Sequence, residues 1–292
     1  MSSNSIVYLG PFGTTFTHDA RIFLGQIFTL PSNLTYVPAP RNDIVLELAI
    51  TQKGYAVLAM ETLAEARVTT SLESFVGLLN QYSERTCPIK VIGAAAMELH
   101  FCLMARPGVT LASLTGVVAH NKSFGACREA VGQLALPLFE VESNGEAVRR
   151  VAQETSYATM AALAPRTAAS HYGLSVLNYA FEDERAVTTF FLVSPHEESL
   201  AMHLEASALR GLLIFESTHR PGALLDVLSP FKDEHINLVQ IHSVGMKGNA
   251  YRFAVEAECS PAEDLALKRA LTRASEHTSR RIVFGPFPLF RQ

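Results

Sequence analysis

The feature that most constrains the fold of this 292-residue chain is a regular alternation of short apolar runs with segments of helical spacing. Apolar runs at residues 6–9, 55–60 and 115–120 are bounded by Gly or polar residues, as is typical of buried strands. Strands that alternate with helices predict an α/β fold with a mainly parallel sheet. Helical spacing is found at residues 43–52, 71–79, 124–134, 147–154 and 158–169.

The last part of the chain has a different order of elements. Its pattern is a strand at 212–216, a helix at 222–234, strands at 236–243 and 251–258, a helix at 261–277 and a strand at 280–284. This βαββαβ order predicts a ferredoxin-like unit over residues 208–292. The polar segment 195–207 is predicted to be a linker between that unit and a domain formed by residues 1–194.

Composition excludes several classes of protein. The chain has no run of about 18 uncharged apolar residues, so no membrane span is expected, and its N-terminus lacks the features of a secretory signal. A formal net charge of −4 without a Lys/Arg cluster argues against nucleic-acid binding. The four cysteines have no CxxC spacing, which predicts mostly buried, reduced thiols in a cytoplasmic protein. No His, Cys, Asp or Glu grouping has metal spacing, so neither a metal nor a cofactor is predicted.

Polar residues occur at the ends of several predicted strands, where ligands bind in α/β sheets. Three polar segments come directly after such strands: Gly10–Thr17, Glu61–Thr62 and His120–Ser123. Thr188 and Thr189 instead begin the apolar run Phe190–Val193. Because Thr is a good strand former, this pair is either an ordinary strand end or the source of a hydroxyl in a pocket. If these segments meet at one edge of the sheet, they form a small-molecule site.

Three segments of the chain resemble a known family. Residues 8–20, YLGPFGTTFTHDA, resemble the opening motif of prephenate dehydratases, and residues 171–194 resemble their signature, which ends in Asn-x-Thr-Arg-Phe. Residues 215–244 look like the start of an ACT regulatory domain. The resemblance implies a periplasmic-binding-protein-like pair of lobes with the site in the cleft, followed by an ACT domain. It also implies assembly as a homodimer or homotetramer.

The match to the family is incomplete where the family carries out its chemistry. The signature Thr falls on Thr188, but the signature Arg falls on Thr189 and the preceding Asn on Ala186. In the motif that usually reads PIENS, the Glu is retained as Glu61 and the Asn has become Thr62. A third motif has alanine at positions 119 and 126 in place of Ser and Gln. Changes gathered in one cleft indicate a retuned site for prephenate, and a simply decayed site is the alternative.

The leading hypothesis is therefore a non-aromatising prephenate decarboxylase of specialised metabolism, a branch of this family. Such an enzyme releases carbon dioxide but keeps the ring hydroxyl, so it should lack the groups that activate that hydroxyl. The alternative is a prephenate dehydratase with an atypical site, which makes phenylpyruvate for phenylalanine biosynthesis. A third hypothesis, of another class, is a non-catalytic protein that binds a small acid.

The resemblance assigns catalytic roles to Glu61 and Thr188, the latter as the site hydroxyl. A Glu61 carboxyl walled by apolar residues would suit proton donation or orientation of the hydroxyl, although a helix-capping acid is the alternative. Lys122 is the candidate counter-charge for a substrate carboxylate, and His18, in the first helix turn, is interpreted as structural. The residues predicted to line the substrate site are Thr14, Thr15, Phe16, Thr62, His120, Asn121, Lys122, Ser123, Thr189 and Phe190.

The ACT-like segment retains the family's Gly-Ala-Leu effector motif as Gly222, Ala223 and Leu224. The glycine follows a proline at a helix start, where the backbone can approach an amino acid closely. The second motif, usually ESRP, reads Ile241–Gly245 and lacks both the Glu and the Arg. The unit is therefore predicted either to bind an amino-acid effector at the first motif or to serve only in dimerisation.

Overall fold

The computed structural model describes residues 4–62, 69–195, 200–247 and 250–292, and it confirms the α/β fold class. The strands form one nine-stranded and one five-stranded sheet. Up to Ser194 the chain forms two lobes, one on each sheet, as the resemblance implies. No helix in these ranges is both long enough and apolar enough to cross a membrane.

The first lobe is built on one end of the nine-stranded sheet. Its elements are β1 (Ser5–Leu9), α1 (Phe16–Ile27), β2 (Thr35–Ala39), α2 (Val45–Gln52), β3 (Tyr55–Thr62), α3 (Thr69–Gln81), β4 (Lys90–Leu99) and β10 (Ala186–Ser194). The strands lie in the order β4-β10-β3-β1-β2. Helix α1 covers one face, where Ala20, Leu24 and Ile27 share a core with Phe190 and Tyr8. Helices α2 and α3 cover the other face.

The second lobe carries the five-stranded sheet, in the order β7-β6-β8-β5-β9. Its elements are β5 (Phe101–Ala105), β6 (Val117–Ala119), α4 (Asn121–Ala126), α5 (Arg128–Leu134), β7 (Leu138–Glu140), α6 (Asn144–Gln153), β8 (Ala161–Pro165), α7 (Arg166–Tyr172) and β9 (Ser175–Asn178). The chain crosses between the lobes at His100 and again at residues 179–185. Glu182 joins the two crossings, because its carboxylate lies 2.8 Å from His100 Nδ1 and accepts from the Phe101 N–H at 2.8 Å.

Two predictions about these lobes are wrong. The sheets are mixed rather than mainly parallel, because β10 is antiparallel to β3 and β4, and β5 is antiparallel to β8 and β9. Residues 158–169 do not form one helix, since residues 161–165 are strand β8 and α7 follows it. The alanine-rich stretch AALAP favours a helix by local propensity. All five of its residues are buried inside the sheet, however, and tertiary packing overrides that preference.

The C-terminal unit has the predicted βαββαβ order. Its elements are β11 (Ala208–Thr218), α8 (Ala223–Asp233), β12 (Asn237–Lys247), β13 (Ala250–Cys259), α9 (Asp264–Glu276) and β14 (Arg280–Arg291). Helices α8 and α9 cover one face of its strands around Phe215, Phe231 and Leu267. The other face packs against α3, with the rings of Phe284 and Phe75 5.4 Å apart. Strand β14 pairs in parallel with β4, so this unit and the first lobe share the nine-stranded sheet.

The predicted linker contacts the first lobe in its described part, residues 195 and 200–207. The Thr29 N–H donates to the Ala201 carbonyl at 2.9 Å, and the His203 N–H donates to the Ile27 carbonyl at 2.8 Å. Thr29 Oγ1 also lies 3.0 Å from His203 Nε2. These contacts hold the second half of the linker against the end of α1.

Candidate functional site

Thr14 and Thr15, both predicted site residues, use their hydroxyls to shape the loop between β1 and α1. Thr15 is the N-cap of α1, since its Oγ1 accepts from the His18 N–H at 3.2 Å and donates to the Leu9 carbonyl at 2.8 Å. Thr14 Oγ1 donates to the Pro11 carbonyl at 3.0 Å, and this side chain is fully buried. Both hydroxyls therefore bond to backbone groups of the loop or of the elements that flank it.

The same loop lies directly against the second lobe. A Cβ atom added to Gly145, at the start of α6, would lie 2.6 Å from Pro11 Cδ and 2.7 Å from Thr14 Oγ1. Helix α6 can approach the loop this closely only because position 145 is glycine. Phe16 packs against the cores of both lobes, and its ring meets that of Phe101 edge-on at 4.8 Å. The loop and Phe16 thus lie where the lobes meet.

The register between β10 and β3 decides which predicted site residues share a face of the sheet. Thr188 pairs with Thr62, Thr189 with Glu61, and Phe190 with Ala59. Met60 is left as the extra residue of a β-bulge. Side chains alternate along a strand, and directly paired side chains share a face. Thr188 therefore faces α1, as Phe190 does, whereas Thr189 and Glu61 face the opposite side.

The structure does not bring the two predicted catalytic residues, Glu61 and Thr188, together. Glu61 contacts the C-terminal unit instead, since Arg210 Nη1 on β11 donates to Glu61 Oε2 at 3.3 Å. A guanidinium therefore lies beside this carboxyl. The side chain of Thr62, the partner of Thr188 on β3, lies outside the described residues.

Thr188 is buried, and several apolar side chains share its face of the sheet. On its own face of β10 it is flanked by Ala186 and Phe190. Across the sheet, Met97 of β4 is its direct partner, and Leu99 pairs with Ala186. All four neighbours belong to the core that α1 covers. The hydroxyl thus sits at the cleft end of a strand with apolar side chains on both sides along that face.

The predicted residues at the start of α4 are organised by Asn144, which no motif marks. Asn144 Oδ1 accepts from the His120 N–H at 3.3 Å and from Ser123 Oγ at 2.7 Å. His120 Nδ1 accepts from the Lys122 N–H at 3.3 Å and so caps the helix. Ser123 is buried, whereas Asn121 and Lys122 are exposed. His120 and Ser123 therefore shape this loop, and the other two side chains remain accessible.

Asp19 is a further candidate that sequence reasoning missed. It lies in the first turn of α1, and its Oδ1 accepts a hydrogen bond from Thr167 Oγ1 of the second lobe at 2.8 Å. Burial raises the pKa of this carboxyl from 3.8 to about 6. Asp19 thus links the two lobes and can exchange a proton near neutral pH. The only signal in the sequence is an acid in the helix turn that follows the opening motif.

His18 has the structural surroundings expected of it. Its ring packs against those of Tyr8 and Phe12, with centroids 5.7 and 4.8 Å away. Burial lowers its pKa from 6.5 to about 4, and the nearby charges of Arg21 and His171 act in the same direction. The imidazole is therefore neutral at pH 7 in the folded protein.

The predicted effector residues lie at the start of α8. Gly222 is its N-cap with a φ of 79°, in the left-handed region that favours glycine. Ala223 is buried, and Leu224 packs against the core of the C-terminal unit. The second motif, Ile241–Gly245, lies on β12 at the edge of the sheet. Of the first motif, only Gly222 is exposed.

The cysteines are mostly buried, as predicted. Cys102, Cys127 and Cys259 are buried and Cys87 is partly so, and none forms a disulfide. Burial raises the pKa of the Cys102 thiol to about 11. Within the described part of the chain, no three His, Cys, Asp or Glu side chains are grouped so that they could hold a metal ion.

Comparison with known proteins identifies the family. The sequence model of prephenate dehydratase matches residues 6–198, which include both lobes. The chain belongs to the prephenate dehydratase family, whose enzymes catalyse a lyase reaction. It is 29% identical to the bifunctional chorismate mutase/prephenate dehydratase of Neisseria gonorrhoeae, over 97% of this chain and 74% of that protein.

Two solved structures share the fold over 98% of this chain. One is the prephenate dehydratase of Arthrobacter aurescens in complex with L-Phe, with a TM-score of 0.77, 23% identity and 90% of that chain covered. The other is GqqA, described as a novel type of quorum quenching acylase, with a TM-score of 0.78, 22% identity and 98% of that chain covered. These two likenesses establish the common fold.

Proposed function

We propose that this enzyme is a non-aromatising prephenate decarboxylase, which converts prephenate to carbon dioxide and a dihydro-4-hydroxyphenylpyruvate. Prephenate has a carboxylate on a quaternary ring carbon and a hydroxyl on the opposite ring carbon. When the bond to that carboxylate breaks, carbon dioxide leaves and an electron pair enters the ring. In a dehydratase the pair expels the hydroxyl and the ring becomes aromatic. In the proposed reaction the pair takes a proton at a ring carbon, and the hydroxyl stays.

The observation that carries this proposal is the alanine at position 186, on the same face of β10 as Thr188. Expulsion of the hydroxyl requires a proton or a strong hydrogen bond at the leaving oxygen in the transition state. The family signature has an Asn two residues before the Thr, but here that position is Ala186, buried on the same face. Phe190 and Met97 also lie beside Thr188 on that face, and Thr62 is its partner on β3. The side chain of Ala186 cannot donate a hydrogen bond to the departing hydroxyl, as an Asn at that position could.

The absence of the signature Arg at position 189 is weaker support for the proposal than the absence of the signature Asn at position 186. Thr189 and Glu61 are paired on the face of the sheet opposite to Thr188. An Arg at position 189 would therefore not share a face with the site hydroxyl. The proposal depends on Ala186 rather than on Thr189.

A proton must reach the ring carbon, and Asp19 is the described acid best suited to donate it. It lies in the first turn of α1, the helix that covers the face with Thr188. With a pKa of about 6, a useful fraction of its carboxyl is protonated near neutral pH. Glu61 is less suited because its carboxylate is paired with Arg210 on the other face.

A product assay tests the proposal. Purified protein is mixed with prephenate at neutral pH, and carbon dioxide and phenylpyruvate are measured together against a blank without protein. We expect carbon dioxide without an equivalent amount of phenylpyruvate. Equal amounts of the two would contradict the decarboxylase and identify a dehydratase. Neither above the blank would favour non-catalytic binding of a small acid.

Prephenate dehydratase, with phenylpyruvate as the product, is the second candidate. It is favoured by the retention of Thr188 and by the dehydratase activity in the name of the Neisseria gonorrhoeae relative. It is also favoured by the guanidinium that Arg210 brings to Glu61, because the site region then has a cation despite the Thr at position 189.

We further propose that residues 208–292 are an ACT regulatory domain and that the protein forms a homodimer or homotetramer. Strand β12 is at the edge of the nine-stranded sheet, and Ile241 on it is 46% exposed. The unpaired backbone groups of an exposed edge strand are a template for pairing with another chain. Because the Arthrobacter aurescens structure contains L-Phe, this amino acid is the first effector to test, by the rise in melting temperature that binding would cause.

A further inference from the structure

We propose that Arg210, in the C-terminal unit, is a positioning residue for the catalytic cleft. It holds the cleft end of β3 through Glu61, and β3 in turn holds the segment of β10 that carries Thr188. This inference rests on the proposed function only in taking the Thr188 cleft as the catalytic site. It makes the C-terminal unit a structural component of that site, whether or not the unit binds an effector.

Arg210 lies at the centre of a cluster of charges contributed by separate strands. Its Nη1 donates to Glu61 Oε2 on β3 and to Glu256 Oε2 on β13, both at 3.3 Å. Its Nε donates to Glu258 Oε2 at 2.9 Å, and Arg291 also pairs with Glu258. The cluster therefore contains two guanidinium groups and three carboxylates. The side chain of Arg210 is only 9% exposed and that of Glu256 only 2%, so water screens these contacts weakly.

The cluster can fix the position of Thr188 because Glu61 is adjacent to Thr62, the residue of β3 that pairs with Thr188. Glu61 follows the bulge at Met60, and the next residue, Thr62, pairs directly with Thr188. A bulge interrupts the ladder and leaves this end of β3 less constrained by backbone pairing alone. The contact with Arg210 supplies a side-chain constraint at the same point. Movement of Glu61 would therefore displace Thr188.

The small side chain of Thr189 explains why a guanidinium from the C-terminal unit can reach Glu61. Thr189 is the direct partner of Glu61, on the same face and buried. An Arg at position 189, as in the family signature, would itself lie beside Glu61. The small Thr side chain leaves that space to Arg210, which reaches Glu61 from β11. One cation thus takes the place of another at the same carboxylate.

The chain contains a matched control for this cluster. Arg252 on β13 pairs with Glu216 at 2.7 Å, and its side chain is 11% exposed. Arg252 also donates to Asn80 of α3 at 2.8 Å. It is therefore another buried arginine between the C-terminal unit and the first lobe, but it contacts α3 rather than the cleft end of β3.

The test compares Arg210→Gln with Arg252→Gln in the full-length protein. Both variants should lower the melting temperature, because each leaves a buried carboxylate without its cation. Only Arg210→Gln should lower kcat on prephenate, by about tenfold to a hundredfold, with a smaller change in KM, because displaced catalytic groups cost rate. It should also speed amide hydrogen exchange in residues 186–190. Equal kcat values and equal exchange in the two variants would overturn the proposal.

Two further variants distinguish a loss of kcat caused by displaced catalytic groups from one caused by loss of folding. Arg210→Gln combined with Glu256→Gln removes a buried carboxylate together with its cation, and it should regain stability without regaining kcat. Thr189→Arg in the Arg210→Gln background should regain kcat, because it places a guanidinium beside Glu61. If this double variant folds but does not regain kcat, the result counts against the proposal. If the wild type does not turn over prephenate, the proposed function fails, and the exchange comparison alone still decides the role of Arg210.

Discussion

Asp19 and His18 are adjacent in the first turn of α1, yet burial shifts their pKa values in opposite directions. Desolvation disfavours the charged form of each group, which is the carboxylate of Asp19 and the imidazolium of His18. The pKa of Asp19 rises from 3.8 to about 6, and the pKa of His18 falls from 6.5 to about 4. Around pH 5 both side chains are therefore mainly neutral in the folded protein, although both are mainly charged when unfolded.

We expect Asp19→Asn to make the protein more sensitive to acid. Asp19 contributes stability below its unfolded pKa of 3.8, and this stability is lost as the pH rises through about 6. His18 contributes stability above its unfolded pKa of 6.5, and this stability is lost as the pH falls through about 4. The two trends offset each other between those limits in the wild type. The urea midpoint of the variant should therefore fall more steeply on acidification from pH 6.5 to about pH 4.5.

The reciprocal variant provides the control for this prediction. His18→Gln leaves the Asp19 trend alone, so its urea midpoint should rise, relative to the wild type, as the pH is lowered over the same range. If the three midpoints changed in parallel with pH, neither group would have the pKa that its burial implies.

At the scale of elements, the position of a strand in the sequence is easier to predict than the face of the sheet on which each of its side chains lies. Strands β1, β3 and β10 follow from short apolar runs between polar residues, a pattern with few other stable structures. The bulge at Met60 has no such signature in the sequence AMET, yet it turns Glu61 away from Thr188. Strand β8 was missed for a different reason, because its alanines favour a helix locally and only its neighbours in the sheet make it a strand.

The contacts that complete the candidate site could not be predicted from local sequence patterns. Thr167 and Asp19 are 148 residues apart, and Arg210 and Glu61 are 149 residues apart. Such pairs depend on how the lobes and the C-terminal unit pack together. Motif resemblance could single out Thr188 as a candidate, because the strand end on which it lies is specified by local sequence. It could not show that Arg210 serves Glu61, because no local motif links β3 to β11.

Positions 186 and 189 lie on opposite faces of β10, so restoring the signature residue at each position tests each face separately. Ala186→Asn returns a polar group to the face with Thr188, so we expect it to raise the ratio of phenylpyruvate to carbon dioxide. Thr189→Arg acts on the other face, where Arg210 already contacts Glu61. A second buried guanidinium there should lower the melting temperature and leave the product ratio unchanged. Chromatography of the keto acids, with parallel measurement of carbon dioxide, gives the ratio.

Ala186→Leu is the matched control, because leucine has the same number of side-chain heavy atoms and the same branching as asparagine without a polar group. A shift in product ratio with Asn but not with Leu would assign the effect to polarity. A shift caused by Thr189→Arg alone would show that the two faces do not act separately.

At the scale of the whole molecule, the C-terminal unit and the first lobe share a core as well as a sheet. The ring of Phe287 meets that of Phe191 at 5.1 Å, and the ring of Phe284 meets that of Phe75 at 5.4 Å. All four rings are buried in one core with residues of β11 and α3. Strand β14 also covers the edge of β4 by parallel pairing. The first lobe therefore depends on the C-terminal unit for part of its interior.

We expect a chain that ends at residue 207 to lose cooperative folding. Removal of the C-terminal unit would expose Phe75 and Phe191 on one face of the first lobe and leave the edge of β4 unpaired. Both changes favour aggregation. Phe284→Ala in the full-length protein removes only one ring from the same core and should destabilise it by about 3–5 kcal/mol in a urea titration, with a single transition retained. A truncated protein that unfolds in one transition at the midpoint of the full chain would show that the first lobe is independent. The charge cluster around Arg210 would then join two separately stable units and would not form part of a single folding unit.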